Sequence, residues 1–361
     1  MARFTDIFDD VTKQGRKIPT NEYLERGTHP IIDQGQKEIA GYSNEEAGLF
    51  CDVPAIIFGD HTRVIKYVDT PCFLGADGVK LLKAKKSNAN YKYLFYALSS
   101  ADIPNTGYNR HFKWLKEVEI PTHTENEQND IVAVLDKVSG LIALRKQQLQ
   151  KLDELVKARF VELFGDTILN PFGWKKDLLG TVCDVRDGTH DSPQYYESGY
   201  PLVTSKNVTG GKIDLTDCSL ICEADFKKIN ERSKVDIGDI IMPMIGTVGK
   251  PVIVDIEPNF AIKNVSLIKF KADSRVLNTY IRALLQSDYF DDAVLSKVRG
   301  GTQKFISLGD IRKLEVLVPP MELQEQFATF IKQTDKSKLA IQQSLDKLET
   351  LKRSLMQKYF G

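Results

Sequence analysis

The chain has 361 residues, of which 42% are hydrophobic and 27% are charged, and its 49 lysines and arginines are balanced by 49 acidic residues. This length and composition are typical of two or three globular domains that fold without a disulfide or metal staple. Zero net charge excludes nucleic-acid binding driven by bulk positive charge, so any such binding depends on local basic clusters or on a partner's charge.

The sequence also sets expectations about location and metal binding. No apolar run reaches the ~18 residues of a membrane span, and the first residues lack the pattern of a signal peptide, so we expect a cytoplasmic protein. The five cysteines include no CxxC pair, and we expect reduced thiols that fill the cores. Cys218 and Cys222 have CxxxC spacing without a second Cys or His pair, so we predict no metal site.

Residues 1–122 form the first predicted domain. The segment 29–35 contains a strand that ends in a polar loop, and the segment 54–66 contains an apolar strand that turns through Gly59 and polar residues into another strand. These β-branched runs and turns, together with short helical stretches, predict a mixed α/β domain.

Residues 123–165 form a predicted central helix. Apolar residues recur at alternating steps of four and three from Ile131 to Val156, with Arg145 as the exception, which is a heptad seam. Thr124 and Glu127 have the spacing of a capping box. A helix of about 35–40 residues is roughly 50–60 Å long, so its seam needs a partner.

Residues 166–318 form the second predicted domain, which has the outline of the first. The segment 200–207 contains a strand that ends in a polar loop, and the segment 238–250 contains an apolar strand that turns through Gly246 and Gly249 into another strand. The matching outline indicates a second copy of the same kind of domain.

Residues 319–361 form a C-terminal helix that begins at two prolines, which suit a first helical turn. Gly361 corresponds to Gly165 and Gln324 to Gln128, an offset of 196 residues in both cases. We therefore predict an α+β fold with an internal pseudo-twofold repeat: two α/β domains separated by two long antiparallel coiled-coil helices. A coiled coil that only dimerises the chain is the alternative interpretation.

Several catalytic motifs are missing from the sequence. It has no Asp/Asn-Pro-Pro-aromatic loop for a flipped base and no Gly-rich turn for a methyl donor. The segment 246–251 resembles a phosphate loop but lacks its first glycine and has Pro251 in place of the metal-binding Ser/Thr. No Glu-x-Lys triplet of a metal-dependent nuclease occurs. We therefore predict no catalytic residues.

Residues 319–326, which read Pro-Pro-Met-Glu-Leu-Gln-Glu-Gln, are similar to the start of the conserved helix in specificity subunits of type I restriction-modification systems. Two further segments are similar to this family: residues 58–63, which read Phe-Gly-Asp-His-Thr-Arg, and residues 73–78, which read Phe-Leu-Gly-Ala-Asp-Gly. Residues 300–307 are similar to the Gly-x-Thr/Ser-Gln turn before that helix. The order domain, helix, domain, helix also resembles this family, and the likeness spans nearly the whole chain.

The resemblance implies that residues 1–122 and 166–318 are target recognition domains, each reading one half of a split, asymmetric double-stranded DNA target. It implies docking to methyltransferase (modification) subunits, which use S-adenosylmethionine, and to restriction/translocase subunits, which use ATP and Mg. No cofactor is expected in this chain. The first domain departs from the Gly-x-Thr/Ser-Gln turn, because residues 105–107 read Asn-Thr-Gly.

Candidate DNA-contacting residues are predicted by residue type. Arg and Lys bond guanine, and Asn or Gln bond adenine, so polar loops that carry these side chains are the candidates. In the first domain we select His61, Arg63, Lys66, Tyr108, Asn109 and Arg110. In the second domain we select Lys206, Asn207, Lys250, Arg299, Thr302, Gln303 and Lys304.

Three classes of function remain open from the sequence. A non-catalytic DNA-recognition subunit is favoured. A self-contained DNA-modifying enzyme is disfavoured by the missing motifs, and a coiled-coil scaffold without DNA binding is the third alternative.

Overall fold

The structure, a computed structural model, describes residues 1–75, 77–107, 109–245, 249–293 and 305–361. The chain divides into two units, residues 1–147 with 342–361 and residues 148–341. Each unit contains one mixed α/β domain and one half of each of two long helices.

The described residues of the first domain form nine strands and three short α-helices. They are β1 Ala2–Arg3, α1 Phe4–Ile7, β2 Phe8–Asp10, β3 His29–Ile32, β4 Gly41–Ser43, β5 Ala55–Gly59, β6 Ile65–Val68, β7 Phe73–Leu74, β8 Val79–Ala84, α2 Tyr91–Ser100, α3 Phe112–Leu115 and β9 Glu119–Ile120. A four-stranded antiparallel sheet has the order β2-β8-β5-β6, and a three-stranded sheet has the order β4-β3-β7 with β3 parallel to β7. Strands β1 and β9 pair with each other.

Strand β5 explains why an apolar run forms the centre of this domain. All five of its residues are buried. Ile56 and Phe58 pack into a core with α2 and the first long helix, whereas Ala55 and Ile57 pack into a second core on the other face. Because side chains alternate across a strand, a continuous apolar run is needed where both faces are covered.

The second domain repeats this topology. Its elements are β10 Lys175–Leu178, α5 Leu179–Val182, β11 Asp184–Asp187, β12 Tyr200–Val203, β13 Val208–Thr209, β14 Lys212–Ile213, β15 Ser219–Ile221, α6 Glu223–Ser233, β16 Ile240–Pro243, β17 Val252–Ile253, β18 Ala261–Ile262, β19 Val265–Lys269, α7 Asn278–Leu285, α8 Asp288–Ala293, α9 Leu308–Arg312 and β20 Glu315–Val318. The sheets have the orders β11-β19-β16-β17 and β15-β12-β18, with β12 parallel to β18. These orders match those of the first domain strand for strand.

Among the described residues, the second domain has three additions relative to the first. They are the β13–β14 hairpin, helix α6, which lies between β15 and β16, and helix α8, which follows α7. The stretch of the first domain that corresponds to α6, residues 44–54, is fully described and contains no helix. The internal repeat predicted from the sequence is therefore a repeat of fold, with insertions in the second copy.

Each long helix has 40 residues. They are α4 Glu125–Phe164 and α10 Met321–Phe360. The predicted capping box at the start of α4 is present: the Thr124 N–H donates to the Glu127 carboxylate at 2.8 Å, and the Glu127 N–H donates to the Thr124 hydroxyl at 3.4 Å. All predicted heptad positions of both helices are buried or half-buried.

The two helices are antiparallel within each unit. In the first unit, Lys146 of α4 forms an ion pair of 2.9 Å with Glu349 of α10. In the second unit, Asp153 pairs with Lys338 at 2.5 Å. A second contact in each unit gives the direction: Ile131 shares a core with Leu355 in the first unit, and Phe160 packs edge-on against Phe327 in the second. In each unit, later positions of α4 thus meet earlier positions of α10.

Gln324 fixes the start of α10 against the second domain. Its side chain is fully buried. Its carbonyl oxygen accepts from the Leu277 N–H at 2.8 Å, and its amide donates to the carbonyl oxygens of Arg275 and Pro319 at 3.0 and 2.9 Å. The glutamine in the Pro-Pro-Met-Glu-Leu-Gln segment therefore joins helix α10 to the segment that leads into α7.

Candidate nucleic-acid interface

The carboxyl ends of the parallel strands β3 and β7 place several polar loops of the first domain at one sheet edge. Gln34 follows β3 and joins two of these loops. Its side-chain oxygen accepts from the His61 N–H at 3.2 Å, and its amide donates to the Asp77 carbonyl at 3.1 Å. The Thr62 hydroxyl donates to the Gln34 carbonyl at 2.6 Å. Gln34 was not selected from the sequence, although it directly follows a predicted strand.

The segment before α3 is joined to the same edge. The imidazole of His111 is fully buried, with Nδ1 2.9 Å from the carbonyl oxygen of Asp60. The Asp60 carboxylate accepts from the Phe112 N–H at 2.7 Å. Nδ1 of His61 is 3.3 Å from the Asn109 carbonyl oxygen. The structure thus brings together His61 and Asn109, which are 48 residues apart in the chain.

Three predicted residues of the first domain lie at or beside this edge with exposed or half-buried side chains. Asn109 and Arg110 are exposed, and Arg63 is half-buried. Arg63 has a backbone φ of 61° and donates from Nη1 to the Ile103 carbonyl at 2.9 Å. It lines an open cavity of about 370 Å³ between the β5–β6 turn and the end of α2. Tyr108 lies outside the described residues.

Lys66 has a structural position that differs from the prediction. Its side chain is only 8% exposed, and its ammonium donates to the Asp33 carboxylate at 3.4 Å and to the Lys37 carbonyl at 2.5 Å. Burial lowers the pKa of Lys66, and the neighbouring Asp33 partly offsets this effect. We therefore correct its assignment: Lys66 holds the loop after β3 and does not project from the domain.

In the second domain, Asn207 is also structural. It is 3% exposed, its side-chain oxygen accepts from both the N–H and the hydroxyl of Thr204, and its amide donates to the Asp217 carbonyl at 3.2 Å. Both polar atoms of the side chain are thus bonded to main-chain or side-chain groups of the segment between β12 and β15. The prediction that Asn207 contacts DNA is corrected on this ground.

Lys206 and Lys250 are exposed, as a contact role requires. Lys206 lies 3.6 Å from the Asp217 carboxylate. Lys250 lies two residues before β17. Just after β16, Ile245 pairs with Phe305, and the Met244 carbonyl accepts from the Ile306 N–H at 3.0 Å. The residues directly after β16 therefore meet the segment before α9, as the β5–β6 turn meets the segment before α3. The other predicted residues, Arg299, Thr302, Gln303 and Lys304, lie outside the described residues.

A polar cluster at the same edge of the second domain was missed by the sequence reasoning. His190 lies between Asp187 and Asn264, with ring nitrogens 2.9 Å from an oxygen of each. Arg232 of α6 also bonds Asp187. The pKa of His190 is raised by its hydrogen bonds to Asn264 and Asp187. The turn sequence Asp-Gly-Thr-His directly after a strand is the signal that points to this cluster.

No group of His, Cys, Asp and Glu side chains in the described part of the chain is arranged to hold a metal ion. Cys222 instead caps α6, its sulfur lying 3.5 Å from the Asp225 amide nitrogen. Cys72 and Cys183 are buried, but Cys51 is exposed, so the expectation that all five thiols fill the cores is wrong for Cys51. No helix among the described residues is long and apolar enough to span a membrane.

A family model for the type I restriction modification DNA specificity domain matches residues 1–154 and 171–353 of this chain. The chain belongs to this family. The match confirms the resemblance seen in the sequence, and the chain is a specificity subunit, which recognises DNA and is not itself catalytic. The two alternatives, a self-contained DNA-modifying enzyme and a scaffold without DNA binding, are not supported.

Individual proteins show the same likeness. The MjaVIII type I restriction enzyme specificity subunit of Methanocaldococcus jannaschii is 24% identical over 315 residues, which cover 79% of this chain and 74% of that protein. A crystal structure of a type I restriction-modification S subunit from M. genitalium has a TM-score of 0.61 at 17% identity and covers 99% of this chain and 95% of that chain. A chain from a structure on complex assembly and conformational transition of the type I R-M system has a TM-score of 0.52, with 17% identity and the same coverage. The fold of the specificity subunit is thus confirmed.

Proposed function

We propose that each domain of this specificity subunit reads one half of a split, asymmetric DNA target through the loops at the carboxyl edge of its three-stranded sheet. The observation that carries the proposal is that the two domains have the same strand order but present different side chains at the carboxyl edge of the three-stranded sheet. The strand orders match, yet the first edge presents Gln34, His61 and Asn109, whereas the second presents Lys206 and His190. Different side chains on the same framework recognise different bases.

The exposed side chains at these edges are the proposed contacts. Arg110 has the donors that bond guanine O6 and N7, and Asn109 has the donor and acceptor that bond adenine. In the second domain, Lys206 and Lys250 serve as guanine or phosphate contacts. Tyr108, Arg299, Thr302, Gln303 and Lys304 stay predictions on the basis of residue type.

The chemistry of restriction and modification is proposed to reside in partner subunits. Modification subunits would supply methyl transfer from S-adenosylmethionine, and restriction/translocase subunits would supply steps that need ATP and Mg. Apolar side chains outside the heptad seam support docking along the helices. Leu144 and Leu351 in the first unit, and Leu155 and Leu339 in the second, are between 46% and 58% exposed. Exposed apolar patches mark surfaces that a partner covers, and we propose these leucines as contact points for the modification subunits.

The test is methylome sequencing of cells that express the chain with its modification subunit, followed by DNA binding of the purified complex. We expect a bipartite, asymmetric motif. Arg110→Ala should relax one base position in one half-site and weaken binding by roughly 1–3 kcal/mol if the side chain contacts a base. Arg26→Ala is the matched control, because Arg26 is equally exposed but precedes the amino end of β3.

Two results would contradict the proposal. A continuous or palindromic motif would exclude two separate readers. Equal effects of Arg110→Ala and Arg26→Ala on the target and on random DNA would show that the carboxyl edge is not the reading surface. If Arg110→Ala alone weakens binding, and does so equally for the target and for random DNA, then Arg110 contacts a phosphate and not a base.

A further inference from the structure

The loop that follows β11 lies along the β18–β19 turn and is bonded to it at several points. The Gly188 N–H donates to the Val265 carbonyl, and the Thr189 N–H donates to the Ile262 carbonyl, both at 3.0 Å. The Asn264 N–H donates in return to the Thr189 carbonyl at 3.1 Å. Two separate segments of the chain thus form one hydrogen-bonded edge.

The imidazole of His190 joins these two segments through both ring nitrogens. Nε2 is 2.9 Å from Oδ2 of Asp187, and Nδ1 is 2.9 Å from Oδ1 of Asn264. Both partners are acceptors, because a carboxylate oxygen and an amide oxygen carry no proton. A neutral imidazole donates from only one nitrogen, whereas the imidazolium donates from both. The arrangement therefore matches the charged ring.

This edge is continuous with the proposed DNA-contacting loop of the second domain. The Lys263 N–H donates to the Val203 carbonyl at 2.9 Å, and Lys206 follows three residues after Val203. The ammonium of Lys263 donates to the Ser192 hydroxyl at 2.7 Å, so the loop after His190 is attached at a second place. The loop after His190 is therefore connected, through Lys263, to the end of the strand that precedes Lys206.

We propose that His190 is a positioning residue for DNA recognition by the second domain: its imidazolium holds the loop 188–192 on the β18–β19 turn, and loss of its proton loosens the loop and weakens binding to the second half-site. The proposal rests on the function proposed above, because it assumes that this sheet edge meets DNA. It assigns to His190 a role in orienting the surface, not in bonding a base.

The charged groups around His190 determine the direction of the pH dependence. Asp187 favours the imidazolium, while Arg232, which bonds the same carboxylate from α6, opposes it. On β11, Arg186 is paired with Asp184 at 2.6 Å, and on the β18–β19 turn Lys263 is held by Ser192. The bonds to Asn264 and Asp187 outweigh Arg232 and burial, so the pKa of His190 lies above its ordinary value of 6.5.

The sign follows from this raised pKa. A group whose pKa is higher in the folded state contributes its full stabilisation below its unfolded pKa, and the contribution is lost as the pH rises through the folded pKa. The loop should therefore be fully held below about pH 6.5 and released progressively above it.

The first measurement uses the full chain without DNA, so it does not depend on the proposed function. Hydrogen exchange of peptides covering residues 187–199, corrected for the intrinsic effect of pH on exchange, should show stronger protection at pH 6 than at pH 8. His190→Gln, which stays neutral, should remove this difference. Equal protection of the loop at both pH values in the unmodified chain overturns the proposal.

The second measurement uses the complex with its modification subunits and a duplex carrying the target defined by methylome sequencing. Affinity should fall by about fivefold between pH 6 and pH 8, the factor that corresponds to about 1 kcal/mol. His190→Gln should flatten the profile. Asn264→Asp, which tolerates the backbone φ of 55° at this position, should shift the fall to higher pH because a second carboxylate retains the proton.

His29→Gln is the control, because His29 in the first domain also bonds a carboxylate, that of Glu46, at 3.2 Å. The affinity of the His29→Gln complex for DNA should depend on pH in the same way as that of the unmodified complex. A profile for His190→Gln that matches the unmodified complex refutes the role of His190 in binding. If the complex binds no specific DNA at any pH but the difference in hydrogen exchange between pH 6 and pH 8 persists, the proposed function is wrong. The role of His190 in holding loop 188–192 is then still supported.

Discussion

Replacing Gln324 with alanine is expected to destabilise the second unit by about 3 kcal/mol. The side chain is fully buried and forms three hydrogen bonds to main-chain groups, with Leu277, Arg275 and Pro319. A hydrogen bond contributes roughly 1 kcal/mol net, and a buried donor left without a partner costs about 1–3 kcal/mol. Three bonds therefore give about 3 kcal/mol, and the unpaired Leu277 N–H adds to this cost.

Calorimetry of the full chain measures this loss. For a unit of this size, each kcal/mol corresponds to a change of about 2–4 °C in the midpoint, so the transition of the second unit should fall by about 6–12 °C. Gln324→Met separates the loss of hydrogen bonds from the loss of side-chain volume, because methionine keeps the volume but forms no comparable bonds. If the hydrogen bonds provide the stability, Gln324→Met should be nearly as destabilising as Gln324→Ala.

Gln326→Ala is the matched control, since Gln326 is an exposed glutamine two residues along the same helix. It should change stability by less than about 0.5 kcal/mol. A loss below about 1 kcal/mol for Gln324→Ala, or a full rescue by methionine, would refute the reasoning that the three hydrogen bonds hold α10 against the second domain.

Two further predictions concern the first domain. Lys66→Met should destabilise it by roughly 1–2 kcal/mol through the lost bonds to Asp33 and the Lys37 carbonyl without changing the methylated motif, and a changed motif would restore Lys66 as a DNA contact. Burial raises the pKa of the Cys72 thiol to about 12, so at pH 8 it carries almost no thiolate; iodoacetamide should modify the exposed Cys51 in the native chain and leave Cys72 unmodified, as read by mass spectrometry.

The helices could be predicted almost completely from the sequence because their signals are local and periodic. Ile131, Leu135 and Val138 were placed on the seam by spacing alone, and all three are buried. The capping box of Thr124 and Glu127 is likewise a short-range pattern that the structure contains. Signals of this kind require no knowledge of what lies opposite the helix.

The candidate site was only partly predictable, because residue type does not reveal which face of a strand a side chain occupies. Lys66 alternates with Tyr67 on β6 and shares a face with Val68, which is buried. The period of two places the lysine inside with the valine. Asn207 carried a comparable local signal, since Thr204 three residues earlier forms a capping box with it.

The remaining features depend on contacts between distant segments. The parallel pairing of β3 with β7 joins strands about 40 residues apart, and it is this pairing that puts Gln34 beside Asp77. Helix α6 supplies Arg232 to the loop after β11 from a segment that has no counterpart in the first domain. A single sequence contains no short-range signal for either arrangement.

Under the proposed function, the charge pattern at the edge of the second domain suits DNA recognition by a chain without net charge. Arg232 is bonded to Asp187, and Lys206 lies beside Asp217. Since Arg232 and Lys206 each already have a carboxylate partner, a phosphate must compete for these two cations, and sequence-independent attraction to the DNA backbone is reduced. Hydrogen bonds to base edges then account for a larger share of the binding free energy. For a subunit whose task is to distinguish one target from the many other sites on DNA, weak attraction to random sequence increases the specificity ratio.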